Sequence, residues 1–535
     1  MTYRRRIALV LFSFAIWACL LRQPIPTSAQ AASLVPLLPG NFYPNGQTHD
    51  ELLDQLPKAL RKRGPIQDTQ IWSGAIHVTG DVLIKSGGTL IILPGTLILV
   101  AARSDDQHSG YSNPRDPFNG NDPPYEGKTR TSFGIDTGGS LIVLGTDTEP
   151  VIITSDADMP RNDDWGKIDV GPDAHVFITR ALIEYVRQIG ISTSDLVIQR
   201  SIVRNMMEAV VIGWYGPPFT AKNYLITPLL TQNYIYNTGR GSITVQIGAP
   251  TITHNILVPR LDLEPTGWEQ GAIAEDFPSC AVINHNYLDA GQPRPYSGEG
   301  GGNTQYKATQ PQGFTMQALC NLKFEYNTIT GSPLGIIGYA GPYSVEHNNI
   351  IPVEPPVSML SDLNFTEPTC LFIYDNSSWA SGNKWLADLL HQVGGIPPLV
   401  SEFSAPNNYW GSDNPTQIVQ CLKTGSGIST SINYQPFATS FIVDALPHWK
   451  DFDWQNLPAQ EPCTLTAQGK TQLRTGPGMN YAQRGALSIG QHVNPIGRLV
   501  TSGGELWWQL EKSLWLRSGT VGATQNCSAI PTVKP

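Results

Sequence analysis

The chain has 535 residues, of which 40% are hydrophobic and 15% charged, with a formal net charge of -9. That composition supplies a sizeable core and excludes the basic footprint of a nucleic-acid binder, since clusters such as Arg61-Lys62-Arg63 are isolated. The 51 glycines and 43 prolines point to many turns rather than to disorder.

Arg4, Arg5 and Arg6 precede the apolar run 7–21, and a small-residue site follows at Ala29-Gln30-Ala31. This is the pattern of a secretory signal peptide over residues 1–31, and no later segment approaches a membrane span. A second reading places lipid attachment at Cys19, after Ile16-Trp17-Ala18. Signal removal takes away four arginines and no acid, leaving 31 basic against 44 acidic residues, a charge of -13. The six cysteines that remain favour disulfides in an exported chain, and Cys280 with Cys320 and Cys370 with Cys421 are neighbours along it.

Residues 32–70 form an N-terminal cap or linker. The leucines at 52, 53, 56 and 60 make one helical stripe in Glu51 to Arg63, predicted to cap the open first coil of a stack that begins near Trp72. From Trp72 to Val100 short β-branched strands alternate with Thr-Gly-Asp, Ser-Gly-Gly and Pro-Gly turns. The segment IKSGGTLIILPGT, starting at Ile84, returns 51 residues later as IDTGGSLIVLGT, starting at Ile135. A strand–turn repeat of this kind is the signature of a solenoid. The insertion between Ala101 and Phe133 carries Tyr111, Phe118 and Tyr125, suited to stacking on a sugar.

The run PVIITSDADMPRNDDWGKI, with ALIEYV after it, resembles the coils of right-handed parallel β-helix surface proteins of bacteria, within the pectate-lyase-like superfamily; Lys167 stands where that pattern has a second glycine. The resemblance spans residues 71–440 and implies an all-β, right-handed parallel β-helix. Asp156, Asp158, Asp163 and Asp164 in this run are candidate Ca²⁺ ligands, although they lack the spacing of a dedicated calcium loop.

From Asn205 onward a tetrapeptide with Asn in second place and Ile or Leu in fourth recurs at Asn233, Asn255, Asn286, Asn327 and Asn348, at intervals of 22, 31, 41 and 21. These intervals fit coils of 21 residues with inserts predicted at 261–277 and 290–313. In-register amides hydrogen-bond along a parallel stack. The same register aligns His254, His285 and His347, read as stacking residues rather than as a metal site. Asn407-Asn408-Tyr409-Trp410-Gly411, a short helix and Ile432 to Phe437 resemble the closing coil of bacterial β-helix proteins.

After a linker at 441–462, residues 463–527 carry Arg474-Thr475-Gly476-Pro477-Gly478-Met479-Asn480-Tyr481 and the pairs Trp507-Trp508 and Trp515-Leu516. This pattern resembles the bacterial SH3 (SH3b) domain, an SH3-like β-barrel, and implies attachment to cell-wall glycan or peptidoglycan. Cys463 and Cys527 flank this module and are predicted to staple its ends; 528–535 is a tail.

Two functions compete. One is a non-catalytic, secreted or envelope-attached protein that binds cell-wall glycan or extracellular polysaccharide, targeted by the SH3b-like module. The other is a polysaccharide-active enzyme, a lyase, glycoside hydrolase or epimerase. No catalytic residue can be named, since the polygalacturonase motif set is incomplete: Asp163-Asp164 stands alone and Gly-His-Gly is absent. No cofactor beyond the candidate Ca²⁺ is implied. The candidate ligand-binding cluster joins Trp268, Glu269 and Glu275 of one insert to Tyr296, Glu299 and Tyr306 of the next.

Overall fold

The computed structural model describes residues 43, 47–107, 130–213, 226–239, 241–259, 271–275, 279–289, 312–316, 322–339, 343–354, 367–374, 400–425, 427–447, 465–493, 495, 497–501, 505–511 and 514–523. Within them the chain is all-β, a parallel β-helix followed by two small antiparallel sheets. Each full coil gives one strand to each of three columns. The first column is a 10-stranded sheet from Thr69–Trp72 to Ser344–Glu346. The second and third form one 21-stranded sheet because Ala75–Ile84 runs through the corner between them, pairing with both Leu97–Val100 and Phe133–Ile135.

The 51-residue repeat is one coil stacked on the next: Ile84 pairs with Ile135 and Leu90 with Leu141. Its second glycine has a steric cause, since a Cβ on Gly88 would lie 2.2 Å from the Ile66 carbonyl oxygen of the coil before. Inward positions align over the length of the stack. In the first column Trp72, Ile92, Val143, Ile178, Ile198, Leu230, Ile252, Ile283, Phe324 and Val345 are successive partners, all buried. Each such side chain contributes about 1.5–3 kcal/mol of burial.

Where the first column turns into the second, Gln232, His254, His285, Tyr326, His347 and Asn407 adopt φ between 53° and 61°, and the asparagine after each points inward. Nδ2 of Asn233, Asn255, Asn286, Asn327 and Asn348 donates to Oδ1 of the next asparagine at 3.0–3.1 Å. Asn408 closes this ladder, which joins it to the column the tetrapeptide identified. Outside the ladder the rings of His254, His285, Tyr326 and His347 stack with centroids 4.8, 5.2 and 4.8 Å apart. The histidines therefore stack as read, with Tyr326 as a fourth member.

The N-terminal expectation is corrected. The helix is only His49–Leu53, with a capping box from Thr48 and Glu51, and Leu60–Ile66 is a strand paired with Ala75–Ile84. Pro57 and the pairing on offer from the next coil override the leucine stripe. The edge strand LRKRGPI is instead protected by its own charges and proline. At the other end the helix Pro415–Cys421, capped by Asn414, is tied by the Cys370–Cys421 disulfide to the strand Thr369–Tyr374. Cys280 is also disulfide-bonded, and its partner lies outside the described residues, as do Cys463 and Cys527.

The C-terminal sheets have three and five strands around Leu465, Ala467, Leu487, Trp508, Leu516 and Val521. The entering strand pairs with the leaving one, Leu465 against Ala523. The Arg-x-Gly-Pro-Gly-x-x-Tyr segment is a closed loop: Arg474 Nη1 donates to the carbonyls of Met479 and Tyr481, and a Cβ on Gly476 would lie 2.4 Å from the Tyr481 ring.

Candidate functional site

The outer surface of the second column is occupied by the chain's own flanking segments. Thr154, Glu184, Arg204 and Tyr236 come from successive coils; Thr154 Oγ1 donates to Glu184 Oε1 at 2.7 Å, Arg204 Nε to Glu184 Oε2 at 2.6 Å, and Arg204 Nη1 to the Tyr236 hydroxyl at 3.0 Å. Tyr43 lies over them, its hydroxyl donating to Glu184 Oε1 at 2.6 Å and contacting His49 Nδ1 at 2.7 Å, with Arg204 5.3 Å from its ring centre. Burial pushes the Tyr43 hydroxyl pKa far up, with the Glu184 carboxylate adding to it. Further along, Asn349 exchanges two hydrogen bonds with Ile442, and Thr328 donates to the Ala445 carbonyl. The beginning of the 441–462 linker is therefore docked on the helix.

The third column presents a different surface. Ile168 and Val170 face the core, so Lys167 and Asp169 face outward; Ile189 and Ile191 likewise turn Gln188 and Gly190 outward. Register sets Gln188 beside Lys167, and Asp169 between Gly134 and Gly190. The outer row reads Leu83, Gly134, Asp169, Gly190, Val211, so the carboxylate stands in a gap where neither neighbouring coil has a side chain. Asp169 accepts no hydrogen bond among the described residues. Its pKa is raised by burial, against the Lys167 ammonium and with help from Asp136. Gln188 is 1% exposed, and both Oε1 and Nε2 are without a hydrogen-bond partner among the described residues.

At the corner leading into this face an ionic ladder follows the stack. Arg130 Nη2 bonds Asp163 Oδ2 at 2.9 Å, and Arg187 Nε bonds Glu208 Oε1 at 2.9 Å. Asp163, at φ 80°, has its pKa pushed up to about 6 by burial, opposed by Arg187 and Arg130 and reinforced by Glu208. Its Oδ1 and the neighbouring Asn162 Nδ2 are buried without partners among the described residues. Donors and acceptors are thus left open on two successive coils, an arrangement able to hold hydroxyl groups.

The four acids considered for Ca²⁺ do not converge. Asp156 accepts from Ala102 N and pairs with His77, Asp163 pairs with Arg130, Asp164 accepts from Ser155 Oγ and Arg161 N, and Asp158 is exposed. No group of three or more potential metal ligands occurs among the described residues.

Of the predicted ligand cluster, Trp268, Glu269, Tyr296, Glu299 and Tyr306 lie outside the described residues, as do Tyr111, Phe118 and Tyr125. Glu275 is described, and it is not on a loop. It ends the third-column strand Ile273–Glu275, pairs with Val245, is fully buried and accepts from Ala281 N at 3.3 Å. The inserts are correspondingly narrower than predicted, because Ile273–Glu275 and Gln312–Met316 are strands. Both inserts leave from paired strands, Ile256–Val258 and Tyr287–Asp289, and return to paired strands.

The sequence reading did not reach Asp169 or Gln188. The alternation Lys167, Ile168, Asp169, Val170 carries the signal that Asp169 faces outward; that glycines flank it emerges only from the register. No protein-family model, curated protein or solved structure matches the chain.

Proposed function

We propose that this is an exported envelope or surface protein that binds glycan, without transforming it, on the third face of its β-helix around Lys167, Asp169 and Gln188. The C-terminal sheets, with their SH3b-like sequence, direct it to cell-wall glycan or peptidoglycan. The observation that carries this reading is the Gln188 amide, outward-facing and buried with neither end hydrogen-bonded among the described residues, one coil on and two residues out of register from the Asp169 carboxylate, which also accepts no hydrogen bond among them. Leaving such groups unpaired costs about 1–3 kcal/mol each, a cost a hydroxyl-rich ligand removes. The Cys370–Cys421 disulfide is compatible with an extracytoplasmic location, and no described helix is long and apolar enough to cross a membrane.

The test is retention on purified cell walls and on insoluble polysaccharide by the full chain, by a chain ending at residue 440, and by Gln188→Leu. Loss of wall retention on truncation, with polysaccharide retention lost only in Gln188→Leu, is the expected pattern. Equal retention by all three would remove both assignments.

One observation favours an enzymatic reading: Asp163, held near pKa 6, has the titration of a general acid or base. Yet the four strand steps from Trp165 to Asp169 alone span about 13 Å. Asp163 precedes the strand Trp165–Val170 and Asp169 stands near its far end, so the two are not register partners on adjacent coils, as a facing carboxylate pair on this scaffold would be. The other acids at this corner are occupied, Glu208 by Arg187 and Asp164 by Ser155 Oγ and Arg161 N.

A further inference from the structure

The geometry points to a neutral polysaccharide as the ligand of the third face, read through vicinal hydroxyls by Asp169 and Gln188, and not to a uronate or other anionic polymer. This rests on the third-face reading above and adds the ligand's chemistry.

The charges around the floor are already committed. Lys85 Nζ bonds Asp136 Oδ2 at 2.8 Å, Arg130 is bound to Asp163 and Arg187 to Glu208. A sugar carboxylate at Asp169 would bring a second negative charge beside one that burial and Asp136 already disfavour, while the nearest cation, Lys167, already offsets Asp169 and the other three are engaged elsewhere. Hydroxyls have no such conflict. An ionised carboxylate accepts from two donors at once, and a side-chain amide gives and takes a hydrogen bond, so Asp169 and Gln188 together suit groups that each donate and accept.

The shape agrees. Glycines on the coils either side of Asp169 leave it without a neighbouring side chain in its row until Leu83 on one side and Val211 on the other, each two strand spacings, about 9.6 Å, away. Apolar walls with a polar floor match a pyranose ring, whose C–H faces are apolar and whose hydroxyls lie at its edge. A Cβ at Gly190 would stand 3.2 Å from Asp169 Oδ1 and close part of that gap.

The experiment measures binding of the full chain at pH 7 to a soluble neutral glucan, to a neutral galactomannan, to polygalacturonate, and to the better neutral polymer after periodate cleavage of its vicinal diols. Asp169→Asn and Gly190→Ala are run alongside, with thermal unfolding as the folding control. The expected result is binding to a neutral polymer that persists in 1 M salt, is lost after periodate, and weakens at least tenfold in either variant with a melting temperature no lower than that of the unaltered chain. Preferential, salt-sensitive binding of polygalacturonate that still depends on Asp169 would overturn the ligand class and leave the third-face reading standing. Binding that ignores both substitutions, or no binding to any polymer, would overturn both.

Discussion

Asp169 faces Gly190 across a parallel strand pair, so closely that a single methyl group on residue 190 would lie 3.2 Å from the carboxylate oxygen. A glycine in a strand interior weakens it by about 0.5–1 kcal/mol relative to alanine. Its presence at 190 keeps space open beside a carboxylate. Gly190→Val is therefore expected to leave the unfolding midpoint unchanged or slightly raised while lowering glycan affinity at least tenfold. A titration and a melting curve on the same sample check both halves.

Asp163 gives a pH dependence of definite sign. Its folded pKa, about 6, is above its ordinary 3.8. Between those values the folded state holds a proton that the unfolded chain has released. The stabilising contribution is complete below about pH 4 and is lost as pH rises through 6. Asn tolerates the left-handed backbone at this position and keeps an acceptor for Arg130. Asp163→Asn should flatten the decline of urea-unfolding free energy between pH 4 and 6, and an undiminished decline would show that another group is responsible.

The asparagine ladder is expected to be intolerant. Asn286 Oδ1 accepts from both the backbone N–H and the side chain of Asn255, so Asn286→Leu leaves the buried Asn255 N–H without that acceptor and also removes the bonds from Asn286 Nδ2 to the Ile252 and Asn284 carbonyls. The expected loss is about 2–4 kcal/mol. Because coils stack, hydrogen exchange should rise first in the strands flanking residue 286.

Removing one partner of a buried ion pair is more costly than removing both. Glu184→Leu strands Arg204, which is 1% exposed, and should cost about 3–5 kcal/mol. Glu184→Leu with Arg204→Met should recover much of that. Tyr43→Phe, which removes one hydrogen bond to the same carboxylate, should cost about 1.5–3 kcal/mol. Chemical denaturation of the four proteins would show whether the N-terminal segment is held by this contact.

Much of the scaffold is legible in the sequence because a solenoid writes its contacts locally. Ile84 and Ile135 share a sequence context because they are partners, and the asparagine spacing tracks the coil. The N-terminal strand Leu60–Ile66 is hidden: its stripe of leucines suits a helix, and only the neighbouring coil makes it a strand. Glu275 looks like a loop carboxylate because it stands among polar residues, whereas register turns it inward beside Val245. Asp169 is illegible for the converse reason. An isolated acid in an alternating strand is ordinary, and only the glycines paired with it from the two adjacent coils set it apart.

Glycan seated on the third face is tested most directly by carbodiimide labelling of surface carboxyls with and without saturating polysaccharide, read by peptide mass spectrometry. The expected result is protection of Asp169 while the exposed carboxylates Asp147 and Asp195 label as before. Unchanged labelling of Asp169 in a protein shown to be saturated with glycan would place the ligand elsewhere.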